Sequence, residues 1–365
     1  MLTRLCLFIA MLFAFALPVQ AKEPMPIGVI GLSHDHVHWL FGNLKRGDVK
    51  IVGIVEKDRV LAKRYADQYG FSMALVYDDI GAMLDKAHPQ AVAGFGPISD
   101  HVKIVRAAAP RGVHVMVEKP LALNAAEGRE MAGLAQKHHV QVLTNYETSW
   151  YPTVAETKSI LTAGQLGPVH KMVIHDGHQG PKTIGVSKEF LAWLTDPVQN
   201  GGGAVIDFGC YGANLMTYLN GGLHPVAVTA TLRNFQPDNY PKVDDEATII
   251  VDYADSQGVI QASWNWPVSR KDIEVYGTTG QVVADDRDTL RRWGSTPESV
   301  KTSELPARAA PFDDPFAWFN AVISGEVKPE PYDPGSLENN LIVLEILDAA
   351  RQSAKTGKKV KLSNR

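Results

Sequence analysis

The first candidate for chemistry is a lysine fixed at a strand end. It lies in Val113-His114-Val115-Met116-Val117-Glu118-Lys119-Pro120. Val113, Val115 and Val117 alternate with His114 and Met116, the pattern of a short buried strand. Pro120 stops the strand, since it has no ladder donor, and biases Lys119 towards an extended backbone. In an α/β sheet such a lysine faces the crevice where these sheets bind ligands; a solvated surface lysine is the bland alternative. A second cluster is Gly201-Gly202-Gly203 followed by Asp207 and Tyr211. Glycines let the chain approach a ligand closely, and residues four apart share a helix face, so Asp207 and Tyr211 are expected side by side. The other reading is a glycine-rich loop before a core helix, with Tyr211 simply buried. An ammonium, a carboxylate and a phenol together suit general acid–base chemistry. Tyr211 would move the proton, Lys119 would lower its pKa and stabilise an oxyanion, and Asp207 would orient the substrate hydroxyl or the lysine.

A scaffold must bring these residues together. Pro26–Gly31 reads as a first strand ending in glycine, with helical spacing from His36 through Leu44. Val49–Val55, Leu75–Tyr77, Ala91–Phe95, Val113–Val117 and Val140–Leu143 read as further strands. Between them Arg59–Tyr69, a helix capped by Asp78, His101–Ala109 and Ala125–His138 read as helices. This alternation predicts a parallel sheet with helices on both faces. Its first turn should carry G-x-G-x-x-G and reads Gly31-Leu32-Ser33-His34-Asp35-His36, so only Gly31 holds of the three glycines. Ser33 and His34 are expected to replace the lost backbone contacts as side-chain donors to a pyrophosphate. Glu56, at the end of the second strand, is placed to take adenosine ribose hydroxyls. A carboxylate there would repel a 2′-phosphate, which favours NAD; Lys57 beside it leaves NADP open. His34, His36 and His38 also invite a metal reading. No cysteine lies near them, and imidazoles at a helix start facing a phosphate explain them without an ion, so no metal is expected.

Gly112–Ala122, with Glu118-Lys119-Pro120 at its centre, resembles the segment that marks the Gfo/Idh/MocA family of nicotinamide-dependent oxidoreductases. Gly201–Tyr211 resembles the family's Gly-Gly-Gly-x-x-x-Asp-x-Gly-x-His, with Tyr211 in place of the commoner histidine, as in the exported, glucose-fructose oxidoreductase-like branch. The resemblance runs from Pro26 to about Leu362 and implies an α/β Rossmann domain followed by an α+β domain with an open, mostly antiparallel sheet. It implies that Lys119 sits beside the nicotinamide and the reacting carbon, and it groups Glu118 with the cofactor. Pro97 and His101 fit a Thr-Pro-Asn-x-x-His segment that lies along the cofactor, although Gly96 and Ile98 depart from it; a plain helix start, capped by Ser99 or Asp100, is the alternative for His101. Tyr146–Pro152 falls where the family links its domains over the active site, with Thr148 and Ser149 in place of its usual arginines. There Trp150 and Tyr151 either stack on a sugar ring or cover the domain junction. One face of the second sheet, read from runs between Val226 and Ala284, must pack on helices. The other is covered in an oligomer in the family, which implies a homo-dimer or tetramer. Leu337–Lys355 reads as the closing helix.

Composition bounds the rest. With 365 residues the chain suits two domains, here 22–145 and 146–365, and 45% hydrophobic with 21% charged residues is ordinary for a globular protein. A net charge of −4 gives no basic patch, so nucleic acid is not an expected partner. Arg4, the apolar run Leu5–Leu17 and small residues at positions −3 and −1 of the cut read as a signal peptide, 1–21, cleaved after Ala21. The mature protein is then periplasmic or secreted, free of the membrane, with Cys210 as its sole cysteine and no intrachain disulfide. The expected function is hydride transfer to or from a sugar-like carbinol or carbonyl, with a tightly bound NAD, because an exported protein has no access to the cytoplasmic pool. Two rivals stand beside it. One is an NAD-dependent glycosidase that recycles its own cofactor; the other is an exported sugar-binding protein that has lost its cofactor, a reading motivated by Ser33 and His36.

Overall fold

The computed structural model describes residues 23–362; the expected signal peptide, with Cys6, lies outside the described residues. Six short apolar segments form a fully parallel sheet: β1 (Met25–Ile30), β2 (Val49–Val55), β3 (Val76–Tyr77), β4 (Ala91–Gly94), β5 (His114–Glu118) and β6 (Val142–Asn145). Their order is β3-β2-β1-β4-β5-β6. The sequence reverses direction across the sheet between β1 and β4, which opens a crevice at the carboxyl ends of these two neighbours. Helix Arg59–Tyr69 begins where Asp58 accepts from Val60 and Leu61 N–H, and ends at Gly70 in the left-handed region. Helix Ile80–Ala87 is capped by Asp79, not by Asp78 as expected; Asp78 pairs instead with Arg59. No side chain caps His101–Ala108 either, since the short turn Ile98–Asp100 runs straight into it.

The second sheet has nine strands: β7 (Val169–Gly177), β8 (Ala227–Arg233), β9 (Glu246–Asp252), β10 (Gln257–Ser263), β11 (Arg270–Gly277), β12 (Gln281–Ala284), β13 (Thr289–Trp293), β14 (Lys301–Glu304) and β15 (Val360–Lys361). All its pairings are antiparallel except β10 with β7, the contact at its centre. Along β9, Ala247, Ile249 and Val251 are buried while the residues between them stay half-exposed. One face therefore packs on helices, among them Gly209–Leu219 and Leu337–Thr356. β13 and β14 escaped the sequence reading because Thr-Leu-Arg-Arg-Trp and Lys-Thr-Ser-Glu show little apolar alternation; they form an edge of the sheet.

Two elements of the second half tie it to the first. Helix Pro315–Ile323 buries Phe316, Trp318 and Phe319 among the residues of the parallel sheet, and Asn320 Nδ2 donates to Asp48 O at 2.8 Å. Helix Leu337–Thr356 lies on Ala125–His138 so closely that a Cβ on Gly128 would come 2.5 Å from Leu344. Its Arg351 donates both to Leu123 O and to Gly201 O. The cleft between the two sheets is held from behind by this helix. No helix among the described residues is long and apolar enough to cross a membrane.

Candidate active site

β5 delivers Lys119 to that cleft, where the residue is 7% exposed. It donates to Asp207 Oδ1 at 2.5 Å and to Asp207 O at 3.0 Å, while Trp264 Nε1 donates to Asp207 Oδ2 at 3.0 Å. Burial alone would favour a neutral amine, but the adjacent Asp207 charge outweighs it and raises the Lys119 pKa. Burial likewise disfavours the Asp207 charge, and Lys119 more than offsets that, so both groups stay ionised. Asp207 and Tyr211 do not share one regular helix as expected: the chain breaks at Phe208, between Ala204–Asp207 and Gly209–Leu219. Both still line the same cleft, of about 870 Å³, together with Lys119.

The triple glycine has a different use from the one expected. A Cβ on Gly203 would lie 1.7 Å from Asp244 O, and the Asp244 carboxylate accepts from Gly203 and Val205 N–H at 2.9 and 2.7 Å. Glycine is required there because the loop presses on backbone of its own domain, and this contact aims Asp207.

Tyr211 is the larger correction. Lys119 and Lys271 stand 5.1 and 4.8 Å from its ring centroid. Burial dominates, however, and the Glu147 and Asp176 charges add to it, so the phenol pKa is raised well above its ordinary value, not lowered. Lys119 spends its charge on Asp207. The phenol is thus built to hold a proton and release it only to a strong acceptor.

Four cleft-side residues were missed by the sequence reading. Lys271 is ion-paired with Glu147, which also accepts from Tyr151 OH at 2.6 Å. His178 Nδ1 accepts from Gly180 N–H at 2.9 Å, and burial lowers its pKa. It is therefore neutral near pH 7, and its ring proton sits on Nε2 as a hydrogen-bond donor. Asp176 is fully buried with neither carboxyl oxygen partnered, and burial raises its pKa well above normal. Asp176 follows Met172 and Ile174 on the inward phase of β7, so an acid in an apolar register was the available signal.

The other expected residues fall into three places. Gly31, Ser33, Glu56 and Pro97 line a separate groove of about 720 Å³ above the first sheet. Gly31 has φ +81°, and a Cβ there would lie 3.0 Å from Gly96 N, so the turn is closed to other side chains. Glu56 accepts from Leu32 and Asp58 N–H at 2.9 and 2.8 Å, which fixes its carboxylate at the groove. An adenosine dinucleotide fits these features: a tight glycine turn, a free hydroxyl proton on Ser33 and a positioned acid for ribose. His34 is not in this groove. Its ring packs on Phe190 and Trp193 and faces the cleft, and its Nδ1 accepts from His36 N–H at 3.1 Å. His101 does not line the groove either; it is fully buried, with Nδ1 at 3.2 Å from both Pro120 O and Leu121 O. It braces the corner that follows Lys119. Glu118 is tied to Asn145 Nδ2 and His36 Nδ1, each at 2.8 Å. Burial alone would raise the Glu118 pKa, but His36 and these bonds bring it to about 2. Tyr151 lines the cleft, whereas Trp150 turns away, packing on Trp318 and donating to Asn145 Oδ1.

Of the three histidines, His38 points elsewhere, to Tyr65 and Tyr69. His34, His36 and Glu118 do gather, with one possible ligand atom from each within 4.8 Å of the others. His34 Nδ1 and His36 Nδ1 are already engaged in the bonds above, which leaves His34 with its ring proton on Nε2, a poor metal donor.

Residues 25–146 match the family model of the oxidoreductase family with an NAD-binding Rossmann fold, and residues 154–283 match the GFO/IDH/MocA C-terminal domain. The chain belongs to the Gfo/Idh/MocA family. It is 27% identical to trans-1,2-dihydrobenzene-1,2-diol dehydrogenase of Xenopus laevis, over 68% of this chain and 71% of that one. Against D-glucoside 3-dehydrogenase of Escherichia coli it is 26% identical, over 60% and 59%. Among solved structures, aldose-aldose oxidoreductase from Caulobacter crescentus, complexed with glycerol, matches at TM-score 0.79 and 22% identity, over 93% of this chain and all of that one. An inositol dehydrogenase homolog from Azotobacter vinelandii, complexed with NAD+, matches at TM-score 0.81 and 17% identity, over 93% and 98%. These two share the fold: a parallel nucleotide-binding sheet followed by an open, mostly antiparallel one. In this member of the Gfo/Idh/MocA family, Lys119 stands where the two domains meet.

Proposed function

We propose that the protein is an exported oxidoreductase that transfers hydride between NAD and a carbinol or carbonyl carbon of a sugar or related polyol. The observation that carries this reading is the buried Lys119–Asp207 pair beside Tyr211, at the floor of a cleft large enough for a sugar ring. The dehydrogenases named among its relatives act on diols and glucosides, which supports the substrate class. Bound nicotinamide supplies or accepts the hydride. Lys119, permanently charged, stabilises negative charge developing on the substrate oxygen. Tyr211, held as a phenol, gives that oxygen its proton. Its raised pKa keeps the phenol protonated in the resting site. His178 Nε2–H and Lys271 are placed to bind further substrate oxygens.

Glu56 favours NAD over NADP through charge repulsion of a 2′-phosphate. Retention of the cofactor is supported by a strap from the second domain. Ser187 N donates to Asp35 Oδ2 at 2.9 Å, Trp193 Nε1 to Ser33 Oγ at 3.1 Å, and Arg64 pairs with Glu189 at 3.0 Å. Together they cross the fingerprint turn. We further expect the half-exposed face of the second sheet to be covered by a homo-oligomer, and the mature protein to begin after Ala21. Light scattering and intact mass of exported protein check these two points.

Mass spectrometry under native and then denaturing conditions tests the reading. Near-stoichiometric dinucleotide should appear on denaturation. Its complete absence, with no thermal shift in a large excess of NAD or NADP, would contradict it, because ligand at 100 times its Kd adds ~2.7 kcal/mol of stability.

A further inference from the structure

The cleft around Lys119 has a rim that hydride and proton transfer do not use. Ile184 and Val268 line it and are 47% and 58% exposed. Apolar side chains left singly in water are ordinary. These two come from separate segments that are tied together at one opening. His178 N donates to Ser263 O at 3.0 Å, Trp266 N to His178 O at 3.3 Å, and Gln179 Nε2 to Pro267 O at 3.0 Å. The loop that carries Val268 is thus laced to the chain that enters Pro181–Ile184. Pro181 and Val186 also line the cleft.

The rim is fixed in place. Gly180 has φ +97°, and a Cβ there would lie 2.5 Å from Tyr240 OH and 2.9 Å from Trp264 O. Lys182 N donates to the same hydroxyl at 3.2 Å, and Ile184 N closes the turn on Gly180 O at 3.0 Å. The fully buried Tyr240 therefore anchors the turn that presents Ile184. A preformed apolar surface of this kind costs a ligand little ordering.

Charge narrows what can lie against it. Five lysines and arginines line the cleft. Lys119 pairs with Asp207 and Lys271 with Glu147. Arg270, Arg291 and Arg287 pair with Asp272, Asp285 and Asp288 at 2.8, 2.5 and 3.6 Å. Asp35, Glu274 and Asp286 add carboxylates to the lining. A phosphate or carboxylate on the substrate would have to displace one of these acids from its cation, against like charges nearby.

We propose that the substrate is a glycoside with no anionic group and with an apolar aglycone, an aryl or alkyl group that packs on Pro181, Ile184, Val186 and Val268. This rests on the proposed hydride transfer at a sugar carbon. The sugar lies at Lys119 and Tyr211, with one oxygen on His178 Nε2–H. His178 meets Phe208 edge-on, ring centroids 4.8 Å apart, and stands three residues before Pro181, so a sugar bound there adjoins the rim.

The test uses the mature protein loaded with NAD+. The probes are methyl and phenyl glycosides of glucose, galactose and mannose, and the matching phenyl uronides. One carbinol becomes a ketone; its hydride reduces the bound NAD+, read by nicotinamide fluorescence in a single turnover, and its hydroxyl proton passes to solvent. At low concentration, at least one phenyl glycoside should react about tenfold faster than its methyl counterpart, because a buried ring leaves water. Its uronide should react about tenfold more slowly than the phenyl glycoside itself. Ile184→Ser/Val268→Ser should cut the phenyl preference to about twofold, since most of the apolar contact is lost. Leu223→Ser, at a residue 57% exposed and outside the cleft lining, should leave it unchanged. Phenyl and methyl glycosides reacting alike would overturn the inference and leave the sugar oxidoreductase standing. A preference that survives in Ile184→Ser/Val268→Ser, or a uronide that reacts as fast as its glycoside, would overturn it too. No reaction with any of these sugars would overturn both.

Discussion

The lysine corner and the fingerprint turn solve the same problem, placing polar atoms in a nearly water-free junction, in opposite ways. At the corner, every charge has a partner of its own: Lys119 with Asp207, and Glu118 with His36 and Asn145. The contacts are short, buried and mostly between side chains. At the fingerprint turn, two of three glycines are gone, and the loop is held instead by a strap from a distant segment, through Ser187, Glu189 and Trp193. A buried ion pair is unforgiving, since removing one partner leaves a charge with no solvent. A strap of separate, partly exposed bonds is tolerant, since a neutral hydrogen bond or a surface ion pair contributes only ~0–1.5 kcal/mol. The comparison predicts that changes at the corner abolish turnover, while changes at the strap adjust cofactor residence.

Lys119→Met attacks the corner directly. Turnover should fall by several powers of ten while NAD affinity stays within about threefold, because in the proposed mechanism Lys119 acts on the reacting oxygen and the adenosine groove is untouched. Initial rates and calorimetric titration separate the two quantities. Tyr211→Phe should lower turnover by roughly 10²–10⁴ and leave KM nearly unchanged, since only the transferable proton is removed.

His101 tests the corner through stability. Burial depresses its pKa from 6.5 to about 4 in the folded protein. The unfolded chain therefore takes up this proton first as the pH drops. Its contribution is fully present above 6.5 and is lost as the pH falls towards 4, a loss of up to ~3 kcal/mol. Urea unfolding across this range should show that slope, and His101→Asn, which can still donate to Pro120 O, should flatten it.

The smallest effect is expected at the strap. Trp193→Phe removes the bond to Ser33 but keeps the aromatic packing on His34. NAD should leave about fivefold faster with turnover per bound cofactor unchanged. A larger loss of turnover at Trp193 than at Tyr211 would reverse the comparison.

The same contrast explains what could be read in the sequence. The corner was legible because its residues stand beside signals of local backbone: Pro120 stops β5, and the glycines before Asp207 announce a close approach. That approach proved to be to Asp244, a partner 41 residues from Gly203 that no local pattern names. The parallel sheet was legible from its apolar runs, whereas β13 and β14, polar edge strands, carry no such runs. His178, Lys271 and Glu147 reach the cleft from three separate segments and meet only in the folded chain. The direction of the Tyr211 shift was hidden for the same reason, because it depends on burial and on Asp176 and Glu147, not on the lysine that the sequence places nearby. The strap over the fingerprint turn joins residues 125 to 160 positions apart, and the missing glycines were its only local trace.

Deuteride transfer tests the central claim most directly. The protein would be loaded with NAD reduced and deuterated at C4, then offered a panel of keto-sugars and aldoses, with the products examined by mass spectrometry. The account predicts one deuterium on the carbinol carbon of at least one product, and loss of that label in Lys119→Met with cofactor still bound. Bound dinucleotide with no label transferred to any sugar or polyol, or equal label in Lys119→Met, would contradict it.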